Sequence, residues 1–216
     1  MKFLLTSEGI TNASIAQALV DLVGLPASEI KVAFIPTAAD LYPEDKRWLI
    51  EDMAELVAQK YAQVDVVPIA AMTKEQSLPR LESAHVICFG GGSEFRLAKV
   101  LRETGLEKEL PRLLETRVYM GISGGSMIAG LFLEKSFIDW VYEDDQEEAV
   151  EAPLGFVDCF IISHLNKSFM KRVRKETFGQ FRGKLAYPLY LLDDDSALKV
   201  VDGKIEVVTE GEVIKM

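Results

Sequence analysis

The chain has 216 residues, 49% of them hydrophobic, and its 34 acids against 24 bases leave a net charge of −10. That length lets a single core form without a metal or disulfides, and the acidic balance speaks against a protein that tracks phosphates, so nucleic acid and membrane surfaces are not expected partners. No stretch approaches the roughly 18 apolar residues of a membrane span, and MKFLLTSEGIT is too weakly apolar for a signal segment, so the expected location is cytoplasmic.

Apolar runs of strand length alternate with helix-period segments over the first two-thirds of the chain, which predicts βαβ units and a mostly parallel sheet. The strand KFLLT (2–6) leads to a helix over 12–23, where Ile15, Leu19, Leu22 and Val23 form one stripe. IKVAFIPT (30–37) leads to a helix near 44–61, and VDVVPI (64–69) to one near 73–83. HVICF (85–89) runs into Gly90-Gly91-Gly92 and then helices near 93–104 and 107–115. Runs such as VAFI and VICF are apolar throughout, as strands covered on both faces are.

After the strand RVYMGI (117–122) the pattern changes. Residues 134–156 mix Phe137, Trp140 and Tyr142 with Glu143, Asp144, Asp145, Glu147 and Glu148, and read as a surface excursion without regular structure. A strand at 157–163, a basic helix near 167–179 and a strand at 185–192 follow. Asp202-Gly203 between β-type runs predicts a C-terminal hairpin. Cys88 and Cys159 lie in apolar runs and read as small buried hydrophobes. One α/β domain over 1–216 is expected.

Chemistry concentrates at strand ends. Gly121-Ile122-Ser123-Gly124-Gly125 stands after an apolar strand and before the helix-compatible MIAGLF, the context in which G-x-S-x-G forms a nucleophile elbow. The alternative is a glycine turn needed only for close packing. Gly90-Gly91-Gly92-Ser93 ends another strand. It is no dinucleotide fingerprint, because position 95 is Phe95, but its amides can face a ligand and supply a second oxyanion donor to Ser123.

Only two histidines are available as the base, His85 and His164. His85 begins a buried strand and reads as structural, whereas His164 ends one and opens a polar turn, where catalytic groups lie on such a sheet. The orienting acid comes from Asp193-Asp194-Asp195, held at a strand end, or from Asp139 and the acids at 143–148. The strand-end cluster gives the chain order Ser, His, Asp, which differs from the Ser, acid, His order of α/β-hydrolases.

These residues resemble the peptidase E family of serine peptidases, which includes aspartyl dipeptidases and, more distantly, cyanophycinases. The resemblance runs through LLTSEG, FIPTAAD, FGGGSEFRL, YMGISGGSMIAG, FIISHLN and LDDDSAL in the family's order. It implies a three-layer α/β sandwich like the class I glutamine amidotransferases, and hydrolysis with neither metal nor organic cofactor. Position by position, it implies Ser123 as nucleophile, His164 as base, Asp194 where the family usually has Glu, and oxyanion donors at Gly124 and at Gly91 or its neighbour Gly92. Asp139 stands in reserve for the acid. Family members that cleave after an N-terminal Asp hold its carboxylate with cations following the histidine; Lys167, Lys171, Arg172 and Arg174 are the candidates here, with Ser93 as a further substrate contact. Ser123-Gly124-Gly125 replaces the family's S-A-G, a change expected to loosen the turn. The expected activity is serine-type hydrolysis of dipeptides or short peptides by a monomer or homodimer. An esterase or amidase on the same scaffold and a non-catalytic binding domain are the rival readings.

Overall fold

The computed structural model describes residues 1–41, 43, 45–143 and 152–216. In chain order, the first half is β1 Lys2–Thr6, α1 Ala13–Val23, β2 Lys31–Ile35, α2 Arg47–Ala58, β3 Gln63–Val66, α3 Lys74–Ser83, β4 Val86–Phe89, α4 Glu94–Glu103 and α5 Leu110–Leu113. The second half is β5 Val118–Ile122, α6 Gly124–Met127, α7 Lys135–Tyr142, β6 Phe160–Ile162, α8 Lys175–Phe178, β7 Leu189–Leu192, β8 Ser196–Val201, β9 Lys204–Thr209 and β10 Val213–Lys215. Local chemistry sets these bounds. The Asn12 side chain accepts the Ile15 N–H at the start of α1, Gly24 ends that helix at φ 77°, and Thr73 with Gln76 forms a capping box on α3.

Seven strands form one sheet in the order β3-β2-β4-β5-β1-β8-β9. The first five are mutually parallel, and β8 and β9 are antiparallel additions. Alternation along each strand divides the core between two faces. Leu5, Ile35, Ile87, Phe89 and Tyr119 pack with Leu81, Leu97 and Leu101 on one side. Leu4, Phe34, Cys88 and Met120 pack with Ile15, Leu19 and Leu56 on the other. Helices therefore cover both faces, the architecture expected of the α/β sandwich. The C-terminal hairpin forms as predicted, with Asp202 and Gly203 at φ 48° and 81°, the signs a two-residue type I′ turn requires.

Three features depart from expectation. A second sheet, β10-β7-β6, stands apart from the first and packs on α7 and α8 through Ile138, Val141, Phe178, Leu189 and Leu191. Within 134–156, residues 135–142 are helical rather than irregular, because Ile138 and Val141 are buried and the Phe137 ring packs 5.5 Å from Phe178 and 4.9 Å from Phe181. The acids Asp144, Asp145, Glu147 and Glu148 of that segment lie outside the described residues. The basic helix expected near 167–179 is reduced to the four residues of α8, and 167–174 is a turn-rich loop. Among the described residues no helix is long and apolar enough to cross a membrane.

Candidate active site

β5 ends at Ile122 and the chain turns at once into α6, leaving Ser123 between them at φ 48°, ψ −115°. A non-glycine residue persists there only if its surroundings hold it. They do: the Ser123 N–H donates to Thr6 O at 3.1 Å, and its carbonyl accepts from Ser126 and Met127 at 2.8 and 3.0 Å. The glycine at 124 does not loosen this turn. A Cβ on Gly124 would lie 2.1 Å from the Gly92 carbonyl oxygen, so the backbone of the other glycine loop occupies the space a methyl would need. The two loops predicted to face one ligand are thus in direct backbone contact, and a Cβ on Gly91 would lie 3.4 Å from Ser123 Cβ.

His164 follows β6 in a left-handed conformation, φ 66°. Its Nε2 lies 2.9 Å from Ser123 Oγ and its Nδ1 lies 2.8 Å from Asp194 Oδ1. The three consecutive aspartates after β7 divide the work among themselves. Asp193 holds the turn, accepting from the Asp195 and Glu212 amides at 3.2 and 2.5 Å and from the Ser196 hydroxyl. Asp195 is exposed, and Asp194, 3% exposed, faces the histidine. Asp139 is paired with Lys135 at 2.5 Å, so the reserve acid is not the partner of His164. His85 is structural as expected: its Nδ1 accepts the Lys31 N–H at 3.1 Å.

Ser7 was not singled out in the sequence, yet it ties the array together. Its buried hydroxyl accepts the His164 N–H at 2.8 Å and donates to Asp194 Oδ1 at 2.9 Å. The available signal was the place of LLTSEG at the carboxyl end of a strand, which the sheet order sets beside β5. Ser7→Ala leaves the His164 N–H without its acceptor and frees the carboxylate to rotate. The expected result is a stability loss of about 1–3 kcal/mol in chemical denaturation, with kcat about tenfold lower at unchanged KM.

Burial alone pushes the Asp194 carboxyl up, but hydrogen bonds from His164 and Glu8, the His164 charge and Lys167 outweigh it and hold the group well below the usual carboxylate range. Lys167 Nζ sits 2.7 Å from Asp194 Oδ2 and 3.7 Å from Glu8, contacts that belong to ion pairing rather than to an aligned hydrogen bond. Glu8 is pushed up to about 8, first by burial and then by its hydrogen bond to, and the charge of, Asp194.

None of the cations expected to hold a substrate carboxylate, Lys167, Lys171, Arg172 and Arg174, lines the cavity. Arg172 donates to Trp140 O at 2.6 Å, lies 4.9 Å over the Trp140 ring and pairs with Glu143 at 3.6 Å, pinning its loop to α7. Arg174 donates to the carbonyls of Met170, Val173 and Lys167 at 2.8–2.9 Å and holds the loop's shape. Lys171 is exposed and is not part of the cavity wall. Ser93 is buried as the N-cap of α4, its Oγ accepting the Arg96 N–H at 3.2 Å. The cavity over Ser123 and His164 encloses about 770 Å³, and among the described residues lining it there is neither Lys nor Arg. Its wall carries Glu8, Asp45, Glu51, Asp52, Glu94, Asp139 and Glu143 instead.

A serine, a histidine and a carboxylate hydrogen-bonded in series over a mostly parallel α/β sheet is an arrangement suited to hydrolysis through a nucleophile. Residues 3–208 match Peptidase family S51, and the chain belongs to that family, which makes it a peptidase, a hydrolase of the peptidase E kind. The fold is similar to that of a candidate peptidase E from Listeria monocytogenes EGD-e, with a TM-score of 0.77 at 18% identity over 97% of this chain and 98% of that one. It is also similar to a peptidase from an acI-B1 Actinobacterium, with a TM-score of 0.67 at 20% identity over 100% and 96% of the two chains. No curated protein matches the chain at a significant level.

Proposed function

We propose that the chain is a serine-type peptidase acting on dipeptides or short peptides in the cytoplasm. The observation that carries this reading is the unbroken series Ser123 Oγ to His164 Nε2 at 2.9 Å and His164 Nδ1 to Asp194 Oδ1 at 2.8 Å, with the serine held on a strained turn. Ser123 Oγ attacks the scissile carbonyl while His164 Nε2 takes its proton, and Asp194 keeps the proton on Nδ1 and stabilises the imidazolium. The oxyanion is received by the Gly124 amide and by that of Gly91 or Gly92. The C–N bond breaks as His164 returns its proton to the leaving amine. Water, deprotonated by the same histidine, then hydrolyses the acyl-enzyme. A cavity of about 770 Å³ suits a small ligand. Two fully enclosed free cysteines, Cys88 and Cys159, are in keeping with a reducing compartment. A preference for N-terminal Asp, which the family resemblance implies, finds no support in the cavity, because Lys167, Lys171, Arg172 and Arg174 do not line it.

Covalent labelling tests the reading. A fluorophosphonate probe labels the protein, and the label disappears in Ser123→Ala and falls at least a hundredfold in rate in His164→Ala. No labelling of the unmodified protein between about pH 6 and 9 favours a non-catalytic binding domain. Labelling with turnover of esters but of no peptide favours an esterase.

A further inference from the structure

The acids of the cavity wall come from separate elements: Glu8 after β1, Glu51 and Asp52 on α2, Glu94 on α4, Asp139 on α7 and Glu143 at its end. Asp52 differs from the rest. Its residue is only 6% exposed, it borders the cavity, and among the described residues no cation or hydrogen-bond donor meets its carboxylate. Its close charged neighbours, Glu51 and Glu55, have the same sign, and Glu55 Oε2 is itself buried without a hydrogen-bond partner. An unpaired carboxylate buried among acids is costly to the free protein. A ligand that brings a positive charge removes that cost on binding. Trp48 lies one helical turn earlier on the same face of α2 and also lines the cavity, next to Gly91 and therefore close to the attacking serine. An indole face beside a carboxylate favours a long aliphatic stem ending in a cation.

We propose that this cavity selects peptides carrying a Lys or Arg side chain beside the scissile bond, with Asp52 as the residue that determines specificity and Trp48 flanking the cation's stem. The inference rests on the peptidase reading above and reverses the charge of the substrate that the family resemblance suggests. All dipeptides carry an α-ammonium, so comparison among them isolates the side chain. The net charge of −10 also attracts such substrates over distance.

The test is calorimetric titration of Ala-Ala, Lys-Ala, Ala-Lys and Asp-Ala into Ser123→Ala, which keeps the cavity and removes turnover. Lys-Ala or Ala-Lys, whichever presents its side chain to Asp52, is expected to bind at least tenfold more tightly than Ala-Ala, with Asp-Ala weakest. In the Ser123→Ala, Asp52→Asn double variant the lysine advantage is lost. Asparagine keeps the shape of the side chain and removes repulsion from Glu51, so the variant is expected to melt no lower than its parent. A lysine advantage below tenfold, or one that survives Asp52→Asn, overturns the proposal. Because binding is read without turnover, failure here is distinct from failure of the serine to label, which would overturn the peptidase reading instead.

Discussion

Asp194→Asn is expected to lower kcat for peptide hydrolysis by about 10⁴-fold while KM changes little, the loss that follows when a triad carboxylate is neutralised. The reason is tautomeric. Asp194 Oδ1 receives the proton of His164 Nδ1 at 2.8 Å and so leaves Nε2 bare to accept from Ser123. An asparagine amide turned toward Nδ1 donates instead, which moves the ring proton to Nε2 and blocks transfer from the serine. The exposed Asp195 is the control, and Asp195→Asn is expected to leave kcat within about twofold. Stability follows the same carboxylate. Its folded pKa lies below the ordinary value, so its contribution is present above the usual carboxylate range and is lost as pH falls through the depressed folded value. Asp194→Asn is accordingly less stable than the parent at pH 7, and the gap closes in strong acid. Steady-state kinetics and urea titrations at two pH values read both effects; unchanged kcat would remove Asp194 from the mechanism.

What the chain disclosed in advance follows the range of the interactions. The strands VAFI, VICF and VYMGI were legible because burial on both faces leaves an apolar run that needs no partner to be recognised. Ser123, His164 and Asp194 were legible because each stands just beyond an apolar strand, and the carboxyl ends of such strands gather at one edge. The small sheet was not, although β6 and β7 fall within the strands expected at 157–163 and 185–192: β10 joins β7 across about twenty residues, and with three residues it carries almost no periodicity. α7 escaped for a related reason: its burial is set by Phe178 and Phe181, some forty residues away. The stretch from Lys167 to Arg174 misled by its charges, which read as a helix face although the left-handed His164 and Asn166 begin a loop held by Arg174. An acidic cavity wall drawn from β1, α2, α4 and α7 has no local signature at all. Ser7 shows how a residue inside a recognised segment passes unnoticed when its partners are 157 and 187 positions distant.

Gly125→Ala is expected to damage stability and activity together. Its added Cβ would lie 2.1 Å from Phe89 O, 2.7 Å from Phe89 C and 2.9 Å from Gly90 O, all of them backbone atoms at the end of β4. No side-chain rotation relieves such contacts, so β4 must part from β5 or α6 must lift. Either movement disturbs the Ser123 turn, and the buried Tyr119 hydroxyl, which donates to Gly125 O at 2.6 Å, loses its aim. Overpacking of this kind costs about 3 kcal/mol, or a fall of about 6–12 °C in Tm for a chain of this size. Displacement of Ser123 by even about 1 Å from the His164 ring lowers kcat roughly a hundredfold. Gly179→Ala is the matched control: its φ is −55° and a Cβ there would meet nothing within 4 Å. That variant is expected to gain about 0.4–1 kcal/mol, because alanine restricts the unfolded chain without straining the fold. If Gly125→Ala instead melted within 1–2 °C of the parent and kept its turnover, the contact between the two glycine loops would not be what holds the nucleophile in place.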